Sequence, residues 1–513
     1  MTTLLQQLSY TPNELGFGTS GLRGLVEDIT DLETYINTCG FILFMEEAQK
    51  MSKGAAIFVA GDLRASTPRI LQAVCKAVTD SGYTPTFGGL VPTPAISFYA
   101  LQQNAASIMV TGSHIPADRN GIKFNKLGGE VLKEDESHIK TAVASVRQKL
   151  YQEDATVSAF NDKGDLKNSF LTPPVNDAVE ALYKKRYTNA FPSDILRGKK
   201  IVFYEHSAVG RDIIPEILEA LGAEVIRVNR TDYFVPIDTE NVTTDDQAYF
   251  KQLAQEYPDA FAITSTDGDS DRPFVIDEHG IFHRGDELGA VVASWLKADF
   301  AAIPISTSDG VLTYMDTQKI ACESTRIGSP YVIRSMATRP DTQITVGWEV
   351  NGGFLIGNDI ETKYGPLASL PTRDALLPIV VALVAATENN QSISELFAVL
   401  PSRYTQAGMI DNFPTEISQL IVKKFSTDSP DTRIAISQYF TGSEGFGKIK
   451  SINPLDGIRI FFDNGDIAHL RPSGNAPQLR IYSVADSQER ADEIVRLAIQ
   501  EPDGILRTIE KNL

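Results

Sequence analysis

Cysteine, positive charge and long apolar runs are all scarce in this sequence. The three cysteines (Cys39, Cys75 and Cys322) stand far apart with no CxxC pair, so neither a disulfide framework nor a zinc site is indicated. We interpret them as buried small apolar residues in a reducing compartment. The longest apolar stretch, Leu376 to Ala386, is too short to cross a bilayer, and the N-terminal segment lacks the features of a secretory signal. We therefore expect a cytoplasmic protein.

The shortage of positive charge limits the choice of partners. Acidic residues outnumber Lys and Arg by 66 to 47, which gives a formal net charge of −19. Nucleic acid and anionic membrane surfaces require a basic footprint, so neither is expected as a partner. An acidic protein binds an anionic ligand only where Arg, Lys, a metal ion or backbone N–H groups cluster locally.

The length of 513 residues predicts several domains. Two stretches share one order of strand, polar loop, helix and strand: the first begins with a strand at Ala56–Ala60 and a helix over Pro68–Asp80, and the second begins at Lys200–Tyr204. This alternation predicts related α/β domains with parallel or mixed sheets. The C-terminal part differs, since a hairpin with its turn at Asn464-Gly465 precedes a helix over Ser487–Ile499.

The strongest local pattern is the acidic string Asp267, Asp269 and Asp271, between two predicted strands. Alternate residues on an extended loop project to one side, and three close carboxylates repel unless a cation lies between them. Hard oxygen ligands of this kind suit Mg²⁺. An EF-hand loop is a weaker alternative, because Arg272 stands where its glycine is required and the flanks favour strands over helices. A solvated acidic turn is the other alternative.

A serine lies in a second strand-end loop. Ser113 follows a strand over Ala106–Val110, with glycine before it and Pro116 after it, so the loop is well placed to present its hydroxyl. His114 and Lys123 are nearby candidates for proton transfer or charge stabilisation. By itself this pattern is also compatible with a purely structural loop.

Three further segments favour binding of anions or hydroxyls. A glycine-rich turn near the N-terminus contains Arg23, and a second segment near the C-terminus runs from Arg471 to Asn475. Arginine forks, hydroxyls and loop N–H groups together match a phosphate. Glu349 and Asn351 stand two residues apart after a strand and could both reach hydroxyls of a sugar, although a structural turn explains them equally well.

Taken in order, these motifs resemble the α-D-phosphohexomutase family of phosphomannomutases, phosphoglucomutases and phosphoglucosamine mutases. The combination of TGSHIP, DGDSDR and RPSGN carries the resemblance, which spans the chain from Gly18 to Arg480. It implies an α/β fold of four domains around a central cleft, with three related α/β domains and a smaller C-terminal α+β domain. The implied domains are 1–155 with the phosphoserine loop, 175–283 with the metal-binding loop, 284–400 with the sugar-recognition loop, and 410–513 with the phosphate-binding loop. The polar stretch Tyr151 to Pro174 is expected to be a linker or an excursion.

The resemblance also implies a role for each motif. Ser113 is the expected phosphorylated nucleophile and, through its phosphoryl group, a metal ligand beside the three aspartates. The residues expected around the reacting phosphoryl group are His114, Lys123, Arg23 and Arg272, with Lys123 preferred for proton transfer. The residues expected to contact the substrate are Glu349 and Asn351 at the sugar hydroxyls, and Arg471, Ser473, Gly474 and Asn475 at the distal phosphate.

The implied reaction interconverts hexose 1-phosphate and hexose 6-phosphate through a phosphoserine and a hexose 1,6-bisphosphate, with Mg²⁺ as cofactor. We expect mannose as the preferred sugar and glucose as a second. Phosphoglucosamine mutase, a phosphatase using the same serine, and a non-catalytic sugar-phosphate or metal-binding protein are the alternatives. The sequence says nothing about oligomeric state.

Several positions differ from the common family pattern. Gly112 and Ile115 stand where the family more often shows Ala and Asn, Ser270 where Gly or Ala is usual, and Asn351 where Ser is common. Asn475-Ala476 replaces a common Thr-Glu, and Ser329 stands where phosphomannomutases often carry His. None of these removes the nucleophile, a metal ligand or a gripping arginine.

Overall fold

The computed structural model describes residues 2–18, 21–473 and 477–513. The chain forms two compact units, Met1–Ala301 with Ser329–Phe397 and Ala302–Gly328 with Ala398–Leu513. Both units combine helices with sheets, and the larger unit contains mixed sheets, so the predicted α/β fold class is confirmed.

The first sheet of the larger unit is mixed. Its strands are β1 (Gly16–Phe17), β2 (Leu22–Leu25), β3 (Ala56–Gly61), β4 (Thr84–Leu90), β5 (Ala106–Val110), β6 (Arg119–Lys126) and β7 (Gly129–Glu130). They lie in the order β1-β2-β6-β5-β3-β4, with β7 beside β6. β3 is parallel to β4 and β5, whereas β6 is antiparallel to both β5 and β2. The accompanying helices are α1 (Leu4–Gln7), α2 (Asp31–Gln49), α3 (Thr67–Asp80), α4 (Thr93–Gln102) and α5 (Glu136–Tyr151).

Local sequence explains this first domain. β3 is rich in β-branched and aromatic residues and is buried over nearly its whole length, as expected for a strand covered on both faces. α3 has Pro68 in its first turn, where a missing N–H costs nothing, and its apolar face packs against the sheet. The predicted strand and helix are therefore confirmed to within one residue.

The polar stretch after α5 is not a free linker. Phe160 is buried, the Leu32 N–H donates to the Gly164 carbonyl at 2.9 Å, and the Leu166 N–H donates to Asp31 Oδ2 at 3.0 Å. Over this part the stretch is an excursion that packs on the start of α2.

The second sheet repeats the order of the first. Its strands are β8 (Lys200–His206), β9 (Glu224–Arg230), β10 (Ala262–Thr266), β11 (Pro273–Ile276) and β12 (Phe282–His283). Its helices are α6 (Ala178–Ala190), α7 (Ile213–Ala220) and α8 (Thr244–Glu256). The run β9-β8-β10-β11 matches β4-β3-β5-β6 in both order and direction. The prediction that the two stretches are related is confirmed by this shared topology.

The rest of the larger unit carries a third set of strands. The strands that follow in the chain are β13 (Phe300–Pro304), which runs across the boundary between the units, and β15 (Thr345–Trp348), β16 (Phe354–Ile356), β17 (Ile360–Glu361), β18 (Pro366–Leu367) and β19 (Leu370–Asp374). The helices are α9 (Gly285–Trp295), α11 (Ser329–Met336), α12 (Leu376–Glu388) and α13 (Ile393–Phe397). β16 is antiparallel to both β15 and β19. The longest apolar stretch forms most of α12 and is buried throughout.

The smaller unit contains an antiparallel sheet. Its strands are β20 (Tyr404–Asp411), β21 (Ile449–Asn453), β22 (Ile458–Phe462), β23 (Ile467–Pro472) and β24 (Gln478–Ala485), in the order β20-β24-β23-β22-β21. Further elements of this unit are β14 (Ala321–Thr325), α10 (Asp309–Thr317), α14 (Thr415–Phe425), α15 (Pro430–Ser437), a 3₁₀ turn (Gly442–Glu444), α16 (Gln488–Ile499) and α17 (Ile505–Lys511). The predicted hairpin is confirmed as β22 and β23, with Gly465 at φ 90° in the turn, and Ser487 caps the predicted helix.

The three cysteines differ in their exposure. Cys75 is buried as predicted and Cys39 is half-buried, but the expectation is wrong for Cys322, which is exposed because the start of β14 faces solvent. Among the described helices, none has the length and apolar character needed to cross a membrane.

One strand–turn–strand unit occurs three times in the larger unit. The turns join antiparallel neighbours: β5 to β6 by the serine loop (111–118), β10 to β11 by the metal loop (267–272), and β15 to β16 by the sugar loop (349–353). Each turn contains one residue in the left-handed region: Ser113 at φ 55°, Ser270 at φ 57° and Gly352 at φ 85°. The repeated topology thus gives each of the three sheets one loop at an equivalent position.

Candidate active site

The serine loop places its hydroxyl against the metal loop. Ser113 is 1% exposed, and its hydroxyl donates to Asp267 Oδ2 at 2.5 Å. Its N–H donates to Thr111 Oγ1 at 2.8 Å. A non-glycine residue with positive φ is uncommon and persists only where its surroundings hold it. The serine predicted from sequence as a nucleophile therefore lies in a strained, buried turn beside the first aspartate.

The metal loop buries all three of its aspartates. Asp267, Asp269 and Asp271 are 0%, 0% and 1% exposed, and they offer carboxylate oxygens within 4.8 Å of one another. The loop is a tight turn rather than the extended segment expected from sequence, since the Ser270 N–H donates to the Asp267 carbonyl at 3.1 Å. Convergence of the carboxylates therefore comes from the turn and not from strand alternation.

Both alternatives for this acidic string are wrong. The loop is flanked by β10 and β11 instead of the two helices of an EF-hand. Its carboxylates are buried, so it is not a solvated turn. The left-handed φ of the turn belongs to Ser270 and not to Gly268, while a Cβ at Gly268 would lie 2.7 Å from the Ser113 carbonyl oxygen. Glycine is needed there so that the two loops can approach each other.

Lys123 on β6 forms ion pairs with two of the three aspartates. Its Nζ donates to Asp269 Oδ2 and to Asp271 Oδ2, both at 2.6 Å, and the side chain is buried. Burial alone disfavours the ammonium, but the two carboxylates outweigh it and raise the pKa of Lys123. The lysine is therefore a charged donor in this arrangement.

The acidic cluster fits a divalent cation by its donor chemistry. Among the described residues, Asp269 Oδ1 and Asp271 Oδ1 are buried oxygens without a hydrogen-bond partner. Burial, followed by the charges of Asp269 and Asp271, raises the pKa of Asp267 well above its ordinary value. A hard cation relieves both the unpaired oxygens and the mutual repulsion. The carboxylates that would hold it are the three predicted from sequence.

Three more predicted residues surround the same cluster. Arg272 is buried, and its Nε lies 3.9 Å from Asp267 Oδ2 and 3.8 Å from Asp271 Oδ1. Desolvation, followed by the charges of Arg272 and Arg23, lowers the pKa of His114, so its imidazole is neutral. The Arg23 side chain remains partly exposed to solvent. Desolvation of its guanidinium, followed by the charges of Arg272 and Arg373, lowers the pKa of Arg23 to about 10. The structure thus supplies the local positive cluster that an acidic protein requires to bind an anion.

The sugar loop is linked to the metal loop by an arginine that the sequence did not indicate. Arg373 on β19 donates to Asp271 Oδ2 from Nε at 3.0 Å and to Glu349 Oε2 from Nη1 at 2.9 Å. Asn351 is also buried; its amide donates to Glu240 Oε1 at 3.1 Å and accepts from the Gly353 N–H at 3.0 Å. Glu349 is therefore brought to the aspartate cluster, whereas the Asn351 side chain has protein partners at both ends.

Sequence reasoning missed further polar residues around the site. The Thr93 hydroxyl at the start of α4 donates to Asp269 Oδ2 at 2.5 Å. Glu130 is buried and accepts from the hydroxyls of Ser329 at 2.7 Å and Thr372 at 2.5 Å. No short motif marks Thr93 or Glu130, because their partners lie 176 to 242 positions away in the chain.

The predicted phosphate-binding segment belongs to the smaller unit. Arg471 is the last residue but one of β23, and its Nε donates to Asp456 Oδ2 at 2.9 Å. Ser473 is buried, and its N–H donates to the Gln478 carbonyl at 2.9 Å. The other two predicted residues of this segment, Gly474 and Asn475, lie outside the described residues.

Sequence models of one family match three parts of the chain. The model for phosphoglucomutase/phosphomannomutase α/β/α domain I matches residues 14–150, that for domain III matches residues 284–404, and that for the C-terminal domain matches residues 434–499.

Individual proteins resemble the chain over nearly its whole length. A phosphomannomutase from Salmonella muenchen is 39% identical over 94% of this chain and 95% of its own, and one from Sinorhizobium fredii is 36% identical over 93% and 97%. A crystal structure of a phosphoglucomutase/phosphomannomutase family protein from Burkholderia thailandensis shares the fold, with a TM-score of 0.71 at 18% identity over 94% of this chain and 96% of its own. The chain therefore belongs to the phosphoglucomutase/phosphomannomutase family, and it is a phosphohexomutase, an isomerase of hexose phosphates.

Proposed function

We propose that the chain interconverts mannose 1-phosphate and mannose 6-phosphate through a phosphorylated Ser113, and that glucose phosphates are a second substrate class. The observation that carries the proposal is the 2.5 Å contact between the Ser113 hydroxyl and Asp267 in a buried cluster of three carboxylates. The choice of mannose rests on the two relatives named phosphomannomutase at 39% and 36% identity.

The proposed metal ligands are Asp267, Asp269 and Asp271, together with a phosphoryl oxygen on Ser113. Mg²⁺ bound there would neutralise charge on the transferring phosphoryl group. Other side chains of the protein donate hydrogen bonds to these carboxylates: Lys123 and Thr93 donate to Asp269, and Arg373 donates to Asp271. These contacts orient the ligands before a substrate arrives.

The proposed phosphoryl transfer neither consumes nor releases a proton overall. The P–O bond to Ser113 Oγ breaks while a P–O bond to the free sugar hydroxyl forms, which gives a hexose 1,6-bisphosphate. Lys123, which is charged in this arrangement, donates a proton to Oγ and recovers one from the sugar hydroxyl. Arg23, Arg272 and the neutral His114 donate to the phosphoryl oxygens as negative charge spreads over them.

Return of the phosphoryl group uses the same residues. After the bisphosphate turns round, its other phosphate lies next to Ser113, and the reverse transfer restores the phosphoserine. We assign Glu349 and Asn351 to the sugar hydroxyls and Arg471, Ser473, Gly474 and Asn475 to the phosphate that is not reacting. Glu349 is the better supported of the sugar contacts, since Arg373 links it directly to Asp271.

A mutase assay tests the proposal. Wild type and Ser113→Ala are compared with Mg²⁺ and a catalytic amount of hexose 1,6-bisphosphate, using mannose, glucose and glucosamine 1-phosphates side by side. We expect turnover of the mannose phosphate by wild type alone, with a phosphorylated serine visible by intact-mass measurement. Preference for the amino sugar would replace mannose by glucosamine. Release of inorganic phosphate without isomer formation would indicate a phosphatase, and the absence of both reaction and phosphoserine would indicate a non-catalytic binding protein.

The domain ranges and the cytoplasmic location stay predictions.

A further inference from the structure

Arg64 makes an unusual set of contacts with the serine loop. It follows β3 and is 2% exposed. Its guanidinium donates to four backbone carbonyls of this one loop and its end: those of Ser113 at 2.9 Å, Ile115 at 2.6 Å, Pro116 at 2.7 Å and Arg119 at 2.8 Å. The N–H groups of a guanidinium point in fixed directions within one plane. They can donate to several carbonyls at once only if those carbonyls are arranged around the guanidinium. The loop is therefore wrapped around a single side chain.

The same segment also holds the other side of the Ser113 backbone. Asp62 Oδ2 accepts from the Thr111 hydroxyl at 2.8 Å, and that hydroxyl accepts from the Ser113 N–H at 2.8 Å. Asp62 Oδ2 also lies 3.3 Å from Arg64 Nε. The N–H and the carbonyl that flank the positive φ of Ser113 are thus both connected to one buried Asp–Arg pair.

Two further residues pack closely against the Arg64 guanidinium. The Phe234 ring stacks 3.8 Å from its central carbon. A Cβ at Gly112 would lie 2.7 Å from the same carbon and 2.8 Å from Nε. Glycine therefore fits beside this guanidinium, whereas a larger residue would require the Arg64 side chain to shift. Arg64 and Gly112 therefore form a matched pair.

We propose that Arg64 is a positioning residue that holds Ser113 in its left-handed conformation, so that the hydroxyl faces Asp267. The inference rests on the proposed function, because it concerns the nucleophile of that reaction. Arg64 makes no contact with the sugar or with the reacting group in this scheme; it acts through the loop backbone. A small displacement of a reacting oxygen is enough to slow transfer by about 10²-fold.

The first test compares Arg64→Lys with the control Arg69→Lys. Arg69 on α3 also donates to backbone carbonyls, those of Val26 and Ile29, but outside the serine loop. For Arg64→Lys we expect kcat to fall about 10²-fold with KM nearly unchanged, since orientation is lost while binding groups remain. Amide hydrogen exchange should become faster at Ser113, Ile115 and Arg119. The control should leave kcat and this exchange unchanged.

A second test uses the fit between Arg64 and Gly112. Gly112→Ala should lower kcat in the wild-type background, because its methyl group overlaps the guanidinium. In the Arg64→Lys background the same change should cost less than about threefold, which gives a non-additive cycle as expected for residues in contact. Additive effects would overturn the pairing. Phe234→Leu, which leaves every Arg64 hydrogen bond in place, gives an independent variant should Arg64→Lys fail to fold, and it should lower kcat and speed exchange to a smaller extent.

The outcomes separate this inference from the proposed function. Wild-type activity combined with normal kcat in Arg64→Lys overturns the positioning role, and so does a lower kcat with unchanged exchange in the serine loop. Wild type without mutase activity overturns the proposed function; the exchange measurement then still decides whether Arg64 holds the loop. Faster exchange together with a lower kcat supports the proposal.

Discussion

The serine loop and the metal loop occupy equivalent positions in two related sheets, and each contains a serine in the left-handed region. Their hydroxyls are used differently. The Ser113 hydroxyl reaches across to Asp267, whereas Ser270 Oγ accepts from the Gly210 N–H at 3.0 Å and bonds Thr266 Oγ1 at 2.8 Å within its own domain. Ser113, the proposed nucleophile, is held by other parts of the protein, whereas Ser270 stabilises the turn in which three aspartates converge. A shared backbone position therefore does not determine a shared role.

The largest expected effect distinguishes the two serines by chemistry. Ser113→Ala should lower mutase activity by about 10⁴-fold or more, because it removes the proposed nucleophile. Loss of the phosphorylated form in intact-mass spectra and an unchanged circular dichroism spectrum should accompany it. Activity within tenfold of wild type would mean that another group carries the phosphoryl.

The next effect concerns the metal loop. Asp269→Asn removes a carboxylate that also accepts from Lys123 and Thr93, and we expect about a 10²- to 10³-fold lower kcat. The half-saturating Mg²⁺ concentration should rise by at least about tenfold. Removing divalent cations with a chelator should abolish wild-type activity, and adding Mg²⁺ should restore it. Asp259→Asn, an exposed acid paired with Lys200 before β10, is the matched control and should change neither quantity.

A third prediction tests the connection between the metal loop and the sugar loop. Arg373→Lys keeps the positive charge but cannot reach both Asp271 and Glu349 with a planar fork. We expect kcat/KM to fall about 10- to 100-fold, equivalent to losing one charge-assisted hydrogen bond of roughly 1.5–3 kcal/mol. Arg197→Lys, a mostly exposed arginine paired with Asp194 at 3.5 Å, is the control. Equal activity of the two variants would show that the two loops are independent.

The smallest effect returns to the second serine. Ser270→Gly relieves a left-handed φ but loses the hydroxyl contacts to Gly210 and Thr266, terms of about 1–2 kcal/mol each that oppose one another. We expect the free energy of unfolding to change by less than about 1 kcal/mol in denaturant titration and kcat to stay within about threefold. Ser113→Gly relieves the same strain yet should be inactive. A large loss of activity in Ser270→Gly would contradict the distinction between the loops.

Much of the local structure followed from sequence because its causes are local. The strand over Ala56–Ala60 and the helix over Pro68–Asp80 were predicted from apolar periodicity, and the hairpin at Asn464-Gly465 from turn chemistry. The aspartate cluster was also recognised, since its three members lie within five residues. Its tight turn was not, because the left-handed φ falls on Ser270 while Gly268 is required for space.

The residues that hold the site together could not be recognised in this way. Arg64 stands 49 positions before Ser113, and Arg373 stands 102 positions after Asp271. Arg64 did have one sequence signal, its place in the loop that follows a buried parallel strand, where functional residues tend to collect. Arg373 and Thr93 had none.

The sequence alone determined the alternation of helices and strands, the nucleophile candidate and the acidic string, since these depend on neighbours in the chain. The tertiary structure decided which polar groups are buried, which carboxylates share Lys123, and which backbone atoms Arg64 holds. The physical reason is that ion pairs and strained turns gain their strength from desolvation and from partners brought together by packing, and neither is encoded in a stretch of adjacent residues.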